Sequence, residues 1–406
     1  MTTTGIRKVR GATPVLVPTV SALGMIGVIR SLGRAGYPVH ACANSGDALG
    51  LHSRYARRAV VHPREHEPAF LDWLRRYVVT EGIKLVIPSE TFYLAIREEY
   101  DTWSAMIPDS VSKDIAYRCL SKCDIADFFA SAPDDSLRNH LPRSIVVSRA
   151  GSIPRDEIRT IAYPVVLKTD ACWDTRPQKR GSVARVRSEA DLLRIVERTL
   201  ETHDRCLIQE MVPGCKATLT VVVHRNQVLV ENMKYAAHEN PHTGGITALR
   251  TIWWHPEMRA DALRRLEALQ WQGPAMVEYK WDAATGRFWF IELNSRYWAT
   301  LNVDLLANRD YPRHQLDARL GHVETNLGPI PEAKRFWCRD TFPADAGYLM
   351  SLLRDGRVPT GRKLAAVAEA IQLSLDPRVK SDLWFEGDRG LYWRAMWDFL
   401  RRLGRD

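Results

Sequence analysis

The chain has 406 residues, of which 45% are hydrophobic and 26% are charged, and its formal net charge is +9. These values are ordinary for a globular protein of two or three domains. The basic residues are scattered and form no stripe with interleaved aromatic side chains, so we expect no nucleic-acid partner. Seven cysteines without metal-binding spacing indicate reduced thiols and a cytoplasmic protein.

The first 112 residues alternate between strand and helix patterns. These patterns follow one another at 14–18, 28–35, 37–42, 70–80 and 84–88. The alternation predicts a doubly wound α/β domain with a parallel sheet. We interpret Gly24 and Gly27 as part of a turn before the first helix. The turn lacks the GxGxxG spacing of dinucleotide-binding domains, which argues against NAD.

The next segment, 113–205, mixes helices and strands. The sequence predicts one helix over 112–129 and a strand that ends on Lys168. A polar, basic loop follows at 176–183. A further helix over 188–203 begins with a capping box at Ser188 and Asp191. We therefore expect a small α/β unit that carries one flexible loop.

Two apolar strands in the segment 206–320 each end on a carboxylate. The first ends at Glu278, and the second continues as Glu292-Leu-Asn294-Ser-Arg296. Carboxylate and amide oxygens at these positions can converge on hard cations such as Mg²⁺. Arg296 lies two residues beyond and could reach an anion that those cations hold.

The remaining segment, 321–406, is basic, rich in tryptophan and predicted to be helical. Large aromatic side chains at helical spacing usually belong to a core or to a dimer interface. A helix on a membrane surface is the alternative, since Arg394, Arg401 and Arg402 lie among the aromatic residues of the last helix.

Four motifs follow one another in the order Tyr163–Lys168, Ile208–Gly214, Met276–Glu278 and Phe290–Arg296. Together they resemble the ATP-grasp superfamily of carboxylate ligases, over roughly Pro14 to Ala307. The opening strand–helix pattern is most similar to the predicted carboligase branch. The resemblance implies a pre-grasp α/β domain over 1–112, an ATP-grasp N-lobe over 113–205, a C-lobe over 206–320 and a helical extension over 321–406.

The resemblance also implies the roles of individual residues, with ATP and two Mg²⁺ ions (or Mn²⁺) as cofactors. The nucleotide would contact Lys122, Lys168, Gly181, Ser182, Gln209, Glu210 and Val212. The metal ligands would be Glu278, Glu292 and Asn294, and Arg296 would stabilise the reaction intermediate. The substrates would lie near Lys234, His242 and Arg250. One departure is Lys216, which stands where many family members have an acid that binds the ribose.

The implied activity is that of an ADP-forming ligase, which joins a small carboxylate to an amine through an acyl phosphate. Two alternatives stay open: a nucleotide-binding regulatory protein without turnover, and a phosphotransferase that uses the same site. Arg296 could also be structural and pair with Glu292. The spacing of His238 and His242 suits zinc only on a helix, which Pro241 would break. We expect the protein to form a homodimer if the tail supplies an interface.

Overall fold

The computed structural model describes residues 3–170, 182–324 and 326–403. The N-terminal region contains the strands β1 (Val15–Val17), β2 (Val39–Ala43), β3 (Arg58–Val61) and β4 (Leu85–Val86). Its helices are α1 (Thr3–Gly11), α2 (Leu23–Ala35), α3 (Pro68–Glu81), α4 (Glu90–Ala95) and α5 (Tyr100–Ser104). The four strands form a parallel sheet in the order β3-β2-β1-β4. The predicted α/β fold class is therefore confirmed.

Helix α2 begins at Leu23, so Gly24 and Gly27 lie inside it, and the predicted glycine turn is wrong. Both glycines are buried where α2 meets a later segment of the chain. A Cβ atom on Gly24 would overlap the backbone carbonyl of Trp298, and one on Gly27 would lie 3.0 Å from the side chain of Leu301. The two glycines therefore allow close packing rather than a turn.

The second region contains the helices α6 (Lys113–Leu120), α7 (Lys122–Ala130), α8 (Asp135–Arg138), α9 (Arg155–Thr160) and α10 (Glu189–Leu200). Its strands β5 (Ser144–Ser148), β6 (Val165–Thr169), β7 (Val183–Val186) and β8 (Arg205–Glu210) form an antiparallel sheet in the order β5-β8-β6-β7. Ser188 caps α10 as predicted, because its hydroxyl accepts a hydrogen bond from the backbone N–H of Asp191. The Asp191 carboxylate accepts from that hydroxyl at 2.8 Å rather than from the Ser188 backbone.

The helix predicted over 112–129 is in fact two helices, α6 and α7, which meet at Ser121. Ser121 has extended backbone angles, and its hydroxyl caps α7 by accepting from the backbone N–H of Asp124. The same hydroxyl lies 2.8 Å from a carboxylate oxygen of Asp170. The interruption has a consequence for the site, because it places Lys122 at the first position of a helix.

The largest sheet contains β9 (Cys215–His224), β10 (Gln227–Asn240), β11 (Ile246–Trp253), β12 (Gly273–Trp281), β13 (Phe288–Asn294), β14 (Trp337–Arg339) and β15 (Lys380–Ser381). Its order is β13-β12-β9-β10-β11-β14-β15. The helices of this part are α11 (Pro256–Ala268), α12 (Leu301–Leu306), α13 (Tyr311–Arg319), α14 (Ala346–Arg354), α15 (Thr360–Leu375) and α16 (Gly390–Leu403). Strands β14 and β15 show that the tail, although mainly helical as predicted, also extends the sheet.

The two faces of this sheet differ in polarity. On one face, Leu219, Val277 and Tyr279 belong to the same buried cluster as Met258 and Leu266 of α11. The opposite face carries polar and charged side chains, because successive residues of a strand point to opposite sides. This polar face holds the site described below.

The C-terminal tail is anchored to the N-terminal region through Arg30, a fully buried arginine on α2. Its guanidinium donates to the Asp388 carboxylate at 2.9 Å, to the Asp382 carbonyl at 2.7 Å and to the Asn302 side chain at 2.8 Å. Trp393 and Trp397 of α16 remain about half exposed, so these two do not belong to a core. None of the described helices has the length and apolarity needed to cross a bilayer.

Candidate active site

The two predicted metal-binding glutamates face each other on neighbouring antiparallel strands. In the register of β12 and β13, Glu278 lies directly opposite Glu292, and Met276 lies opposite Asn294. The next pair is Tyr279 with Phe290, which leaves Ile291 as an extra residue in β13. Such bulges redirect side chains and are common beside active sites. The strand pairing therefore brings together the three residues that the motif spacing singled out.

Two carboxylates at directly opposed positions repel each other unless positive charge compensates. The Lys216 ammonium lies 3.3 Å from a carboxylate oxygen of Glu278. Burial raises the pKa of Glu278 above its ordinary value. Burial also disfavours ionisation of Glu292, but Lys168, Lys122 and Lys216 outweigh it and lower the pKa of Glu292 to about 2. The pair therefore consists of one firmly ionised carboxylate and one that holds a proton more readily.

Lys168 is buried at the end of β6 and belongs to the same charge cluster. Its ammonium donates to the side-chain carbonyl of Gln209 at 3.0 Å, and the amide of Gln209 donates to the Ser144 hydroxyl at 3.2 Å. Burial lowers the pKa of Lys168, although Glu292 and Glu278 act in the opposite direction. Gln209 thus holds the lysine in place, while leaving part of the ammonium's hydrogen-bonding capacity for another acceptor.

Asp170 fixes the position of Lys122, a role that the motifs did not suggest. Its carboxylate accepts from the backbone N–H of Lys122 at 2.8 Å and forms an ion pair with Arg205 at 2.9 Å. The carboxylate therefore binds the N-terminus of α7, where a negative charge is favourable. The sequence does offer a signal for Asp170, because this carboxylate follows directly after the strand that carries Lys168.

Arg296 pairs with a residue of the N-terminal region rather than with Glu292. Its Nε lies 3.1 Å from a carboxylate oxygen of Glu90, the first residue of α4. The alternative that Arg296 is a structural partner of Glu292 is therefore not what the structure shows. Both side chains of the new pair remain partly exposed, at 30% for Arg296 and 41% for Glu90. The arginine can therefore still contact a small molecule.

Two cavities adjoin the paired glutamates. The first, which we call the site cavity, has a volume of about 210 Å³ and is lined by Glu278, Glu292, Asn294, Arg296, Lys216, Lys234 and Arg250 among others. The second, which we call the apolar cavity, has a volume of about 300 Å³. Its walls include Ile125, Leu207, Ile291 and Leu293, with Lys122, Gln209 and Glu292 at the polar side. Glu292 borders both cavities and so marks where they meet.

Two of the cations that line the site cavity, Lys234 and Arg250, are already paired with buried carboxylates. The Lys234 ammonium lies 2.6 Å from Asp304, which is fully buried, and Arg250 forms an ion pair with the equally buried Asp382. The sequence contained no signal for Asp304, which also accepts from the indole N–H of Trp298 at 2.9 Å. Lys234 and Arg250 therefore line the cavity, but as members of buried pairs.

His242, the third predicted substrate residue, is not among the residues that line the site cavity. Its ring contacts the Ser351 hydroxyl at 3.1 Å and the Asp355 carboxylate at 3.3 Å. These partners belong to the C-terminal tail. The structure thus separates His242 from Lys234 and Arg250, which it does bring to one cavity.

The remaining predicted nucleotide contacts lie near the end of the second sheet. Glu210 is the last residue of β8, and Val212 follows two residues later. The Ser182 N–H donates to the Thr169 hydroxyl at 2.8 Å, which places Ser182 beside the end of β6. Gly181 and most of the predicted flap lie outside the described residues.

Lys216 occupies the position at which the resemblance would lead one to expect an acid. Its ammonium donates to the Gly245 carbonyl at 2.9 Å, in addition to the contact with Glu278. Burial opposes its protonation, but Glu278 and Glu239 raise the pKa of Lys216. A permanently positive group therefore lies against one of the predicted metal ligands.

The donor set suits a magnesium ion that retains other ligands. Within the described residues, no group of three or more histidine, cysteine, aspartate or glutamate side chains is arranged to hold a metal. Glu278, Glu292 and Asn294 offer two carboxylates and one amide oxygen. Mg²⁺ typically binds through one or two carboxylates together with water and phosphate oxygens. The residues present therefore fit Mg²⁺ accompanied by a nucleotide better than an ion held by protein alone.

No protein-family model and no curated protein matches the chain. Solved structures do match. The N5-carboxyaminoimidazole synthetase from Staphylococcus aureus, in complex with ADP, has a TM-score of 0.61 at 15% identity and covers 81% of this chain and 82% of its own.

Two further solved structures show the same similarity. The L-amino acid ligase from Bacillus licheniformis has a TM-score of 0.57 at 15% identity and covers 77% of this chain and 75% of its own. The biotin carboxylase from Campylobacter jejuni has a TM-score of 0.59 at 13% identity and covers 80% and 74%, respectively. The similarity extends over most of each chain. The chain thus has the ATP-grasp fold that its motifs predict.

Proposed function

We propose that the protein is an ATP-dependent ligase that joins a carboxylate to an amine and releases ADP and phosphate. The observation that carries this proposal is the opposed pair Glu278 and Glu292, which lies beside Asn294 and is compensated by buried Lys168. An oxygen-only cluster with adjoining lysines suits magnesium–nucleotide chemistry. An L-amino acid ligase and a synthetase bound to ADP share the fold, which agrees with this class of reaction.

The proposed reaction has two steps. First, a carboxylate oxygen of the substrate attacks the γ-phosphorus of ATP, the bond to the β,γ-bridging oxygen breaks, and ADP leaves. Next, the amine nitrogen attacks the acyl carbon, inorganic phosphate leaves with the bonding electrons, and the nitrogen loses a proton to solvent. Neither step needs a covalent protein nucleophile, because positioning and charge neutralisation dominate phosphoryl transfer.

The nucleotide would lie where the two cavities meet. Lys122 lines the apolar cavity, and Lys168 donates to Gln209 of the same cavity. Both lysines would bind the phosphates as compact positive charges. The apolar cavity would receive the base beside Gln209, and the backbone of Glu210 and Val212 would supply hydrogen bonds to its edge. Gly181 and Ser182 would cover the phosphates, where small residues let the backbone approach closely.

Glu278, Glu292 and Asn294 would hold Mg²⁺, as two ions, with Mn²⁺ as a substitute. When bound, these ions would neutralise negative charge on the phosphate oxygens. The protein's own contribution is to hold the two carboxylates at opposed strand positions and to keep Glu292 ionised. This keeps the metal ligands in place before a nucleotide binds, so less reorganisation is required during the reaction.

The substrates would occupy the site cavity. Arg296, held by Glu90, would stabilise the negative oxygen that develops when the amine attacks the acyl phosphate. Lys234 and Arg250 would attract anionic groups, although their buried carboxylate partners reduce that attraction. The volume of about 210 Å³ favours small-molecule substrates. We also propose a cytoplasmic location, where ATP is available, and a homodimer.

A panel experiment tests this proposal. The full chain is incubated with Mg-ATP and matrices of small carboxylic acids and amines, and ADP release and product masses are measured. We expect ADP and an amide to appear in equal amounts, and only when an acid and an amine are both present. Formation of AMP instead of ADP would contradict an acyl-phosphate route.

A second candidate is a nucleotide-binding protein without turnover. The contact of Lys216 with Glu278 favours it, because an ammonium there competes with Mg²⁺ for the same carboxylate. Tight binding of ATP, with no product from any pair of substrates, would support this candidate over the ligase. Phosphoryl transfer to an acceptor in the absence of an amine would indicate a phosphotransferase instead.

A further inference from the structure

A large groove lies outside the two cavities of the candidate active site. It has a volume of about 1090 Å³ and runs between the end of α12, the segment 327–337 and the segment 372–380. None of its lining residues also lines the site cavity or the apolar cavity. This volume slightly exceeds the range of about 300–1,000 Å³ that is usual for ligand pockets. The groove is therefore large enough for a separate small molecule.

The groove is lined by a buried arginine, Arg309, that has no carboxylate partner among the described residues. Arg309 is only 6% exposed, and one of its terminal nitrogens donates to the Gly328 carbonyl at 2.7 Å. Its Nε is buried and has no hydrogen-bond partner in the part of the chain that the structure describes. Within the described parts of the chain, Arg309 forms no ion pair. A buried, uncompensated guanidinium is costly, so such a group usually pairs with an anion.

A second arginine in the same groove, Arg335, likewise has fewer partners among the described residues than a buried guanidinium group normally has. Arg335 also has a buried Nε without a hydrogen-bond partner, and it too forms no ion pair with a described residue. The groove as a whole is positive, since it is lined by one carboxylate, Asp376, and by the cations Arg309, Lys334, Arg335, Arg378 and Lys380. Among ion pairs between described residues, only that of Arg378 with Asp376, at 2.8 Å, neutralises one of these cations.

The groove also offers an apolar surface beside these charges. Leu327, Ile330 and Phe336 line it together with Leu306 and Val379. Leu327 is 65% exposed and so presents apolar surface within the groove. The combination of guanidinium groups without a carboxylate partner among the described residues and an apolar lining matches a ligand that has both an anionic head and an apolar body.

We propose that this groove binds an amphipathic organic anion, with its carboxylate or phosphate head on Arg309 and Arg335 and its apolar body against Leu327 and Ile330. The planar guanidinium group suits both heads, because it presents paired donors to two oxygens at once. This site is independent of the ligase reaction proposed above, since the two sets of lining residues do not overlap.

Isothermal titration calorimetry of the full chain tests the proposal, with octanoate, octyl phosphate, octanamide and inorganic phosphate as probes. We expect octanoate or octyl phosphate to bind and octanamide, which lacks the charge, to bind at least about 10-fold more weakly. The stronger of the two anionic probes identifies the head group. Binding by inorganic phosphate as tight as that of octyl phosphate would refute the apolar contribution.

Variants then locate the binding site. Arg309→Gln should weaken binding of the anionic probe about 10-fold or more, and Arg335→Gln should do so independently if the first variant fails to fold. Arg357→Gln is the matched control, because Arg357 is an exposed arginine outside the groove that already pairs with Asp355. Unchanged binding in both groove variants, or no binding of any anionic probe to the natural protein, would overturn the proposal.

One further variant separates this proposal from the proposed ligase activity. Glu292→Gln alters the candidate active site but not the groove, so the octanoate or octyl phosphate affinity should stay the same. A loss of that affinity in Glu292→Gln would show that the probe occupies the active site instead. The groove proposal can thus fail while the ligase proposal stands, and the reverse also holds.

Discussion

Two parts of the polar sheet face differ in the arrangement of their buried charges. On β12 and β13, at one edge of the sheet, Glu278 and Glu292 face each other, and the lysines near them come from other elements. On the central strands β10 and β11, Lys234 and Arg250 each meet one buried carboxylate. Buried pairs of the second kind are costly to break but contribute little net stability. The comparison teaches that two opposed carboxylates without a one-to-one partner suit the proposed metal site, whereas one-to-one buried pairs keep the lining of the site cavity in a fixed position.

The largest effect should come from removing one charge from the opposed pair Glu278 and Glu292. Glu292→Gln keeps the size of the side chain but removes the negative charge of a proposed metal ligand, which the lowered pKa keeps ionised at neutral pH. We expect ADP formation to fall by about 10²–10³-fold, on the scale of losing one electrostatic contact to a reacting group. Steady-state ADP release with Mg-ATP and a productive acid–amine pair measures this. An unchanged rate would mean that the carboxylate pair is not the metal site.

Removing a charge from the buried pair of Lys234 and Asp304 should lower the stability of the protein rather than its catalytic rate. Asp304→Asn leaves Lys234 buried without a charged partner, so unfolding in urea should show a loss of about 3–5 kcal/mol. A double variant that also replaces Lys234 with Met should recover much of this loss. Normal stability of Asp304→Asn would mean that burial of Lys234 does not require the Asp304 charge. The contrast with the pair Glu278 and Glu292 would then be wrong.

Arg296 lies between these extremes, because it is partly exposed and pairs with Glu90 across two regions of the chain. Arg296→Gln should lower kcat by about 10²-fold while leaving ATP affinity nearly unchanged. Glu90→Gln is the control: it leaves the guanidinium in place and only loosens it, so we expect a loss of just a few-fold. Equal losses in both variants would indicate that Arg296 is structural rather than catalytic.

The smallest effect is a pH dependence that distinguishes Glu278 from Glu292. A raised pKa means that Glu278 keeps its proton at a higher pH than an ordinary carboxyl group, and Mg²⁺ must displace that proton. Apparent Mg-ATP affinity should therefore rise by a few-fold as the pH increases above the range in which an ordinary carboxyl group titrates, and Glu278→Gln should flatten the curve. Glu292, whose pKa is about 2, should not titrate in this range. Calorimetric titrations at several pH values test this.

Local sequence was sufficient where the physical cause is local. The alternation of Glu292 and Asn294 on β13 follows from strand geometry, and the helix cap at Ser188 depends on residues three apart. The turn predicted at Gly24 and Gly27 was wrong, because glycine is typical both of turns and of places where the backbone packs closely. Only the approach of Trp298 and Leu301 shows which meaning applies here.

Partners that are distant in sequence left no comparable signal. Glu90 and Arg296 are separated by 206 residues, and Asp304 lies 70 residues from Lys234. Nothing in the pattern around Asp304 distinguishes it from a surface acid near the start of a helix. His242 was grouped with Lys234 and Arg250 because it is near them in sequence, yet the β10–β11 hairpin carries it to the C-terminal tail.

The sequence by itself determined the fold class and the chemical character of the site. Strand periodicity and motif order depend on neighbouring residues, so they can be read without knowing the path of the chain. Only the tertiary structure decided which charges are opposed, which are already paired and which are left unpaired. Those outcomes depend on strand register and on burial, because the energy of a charge depends on the groups that folding places around it.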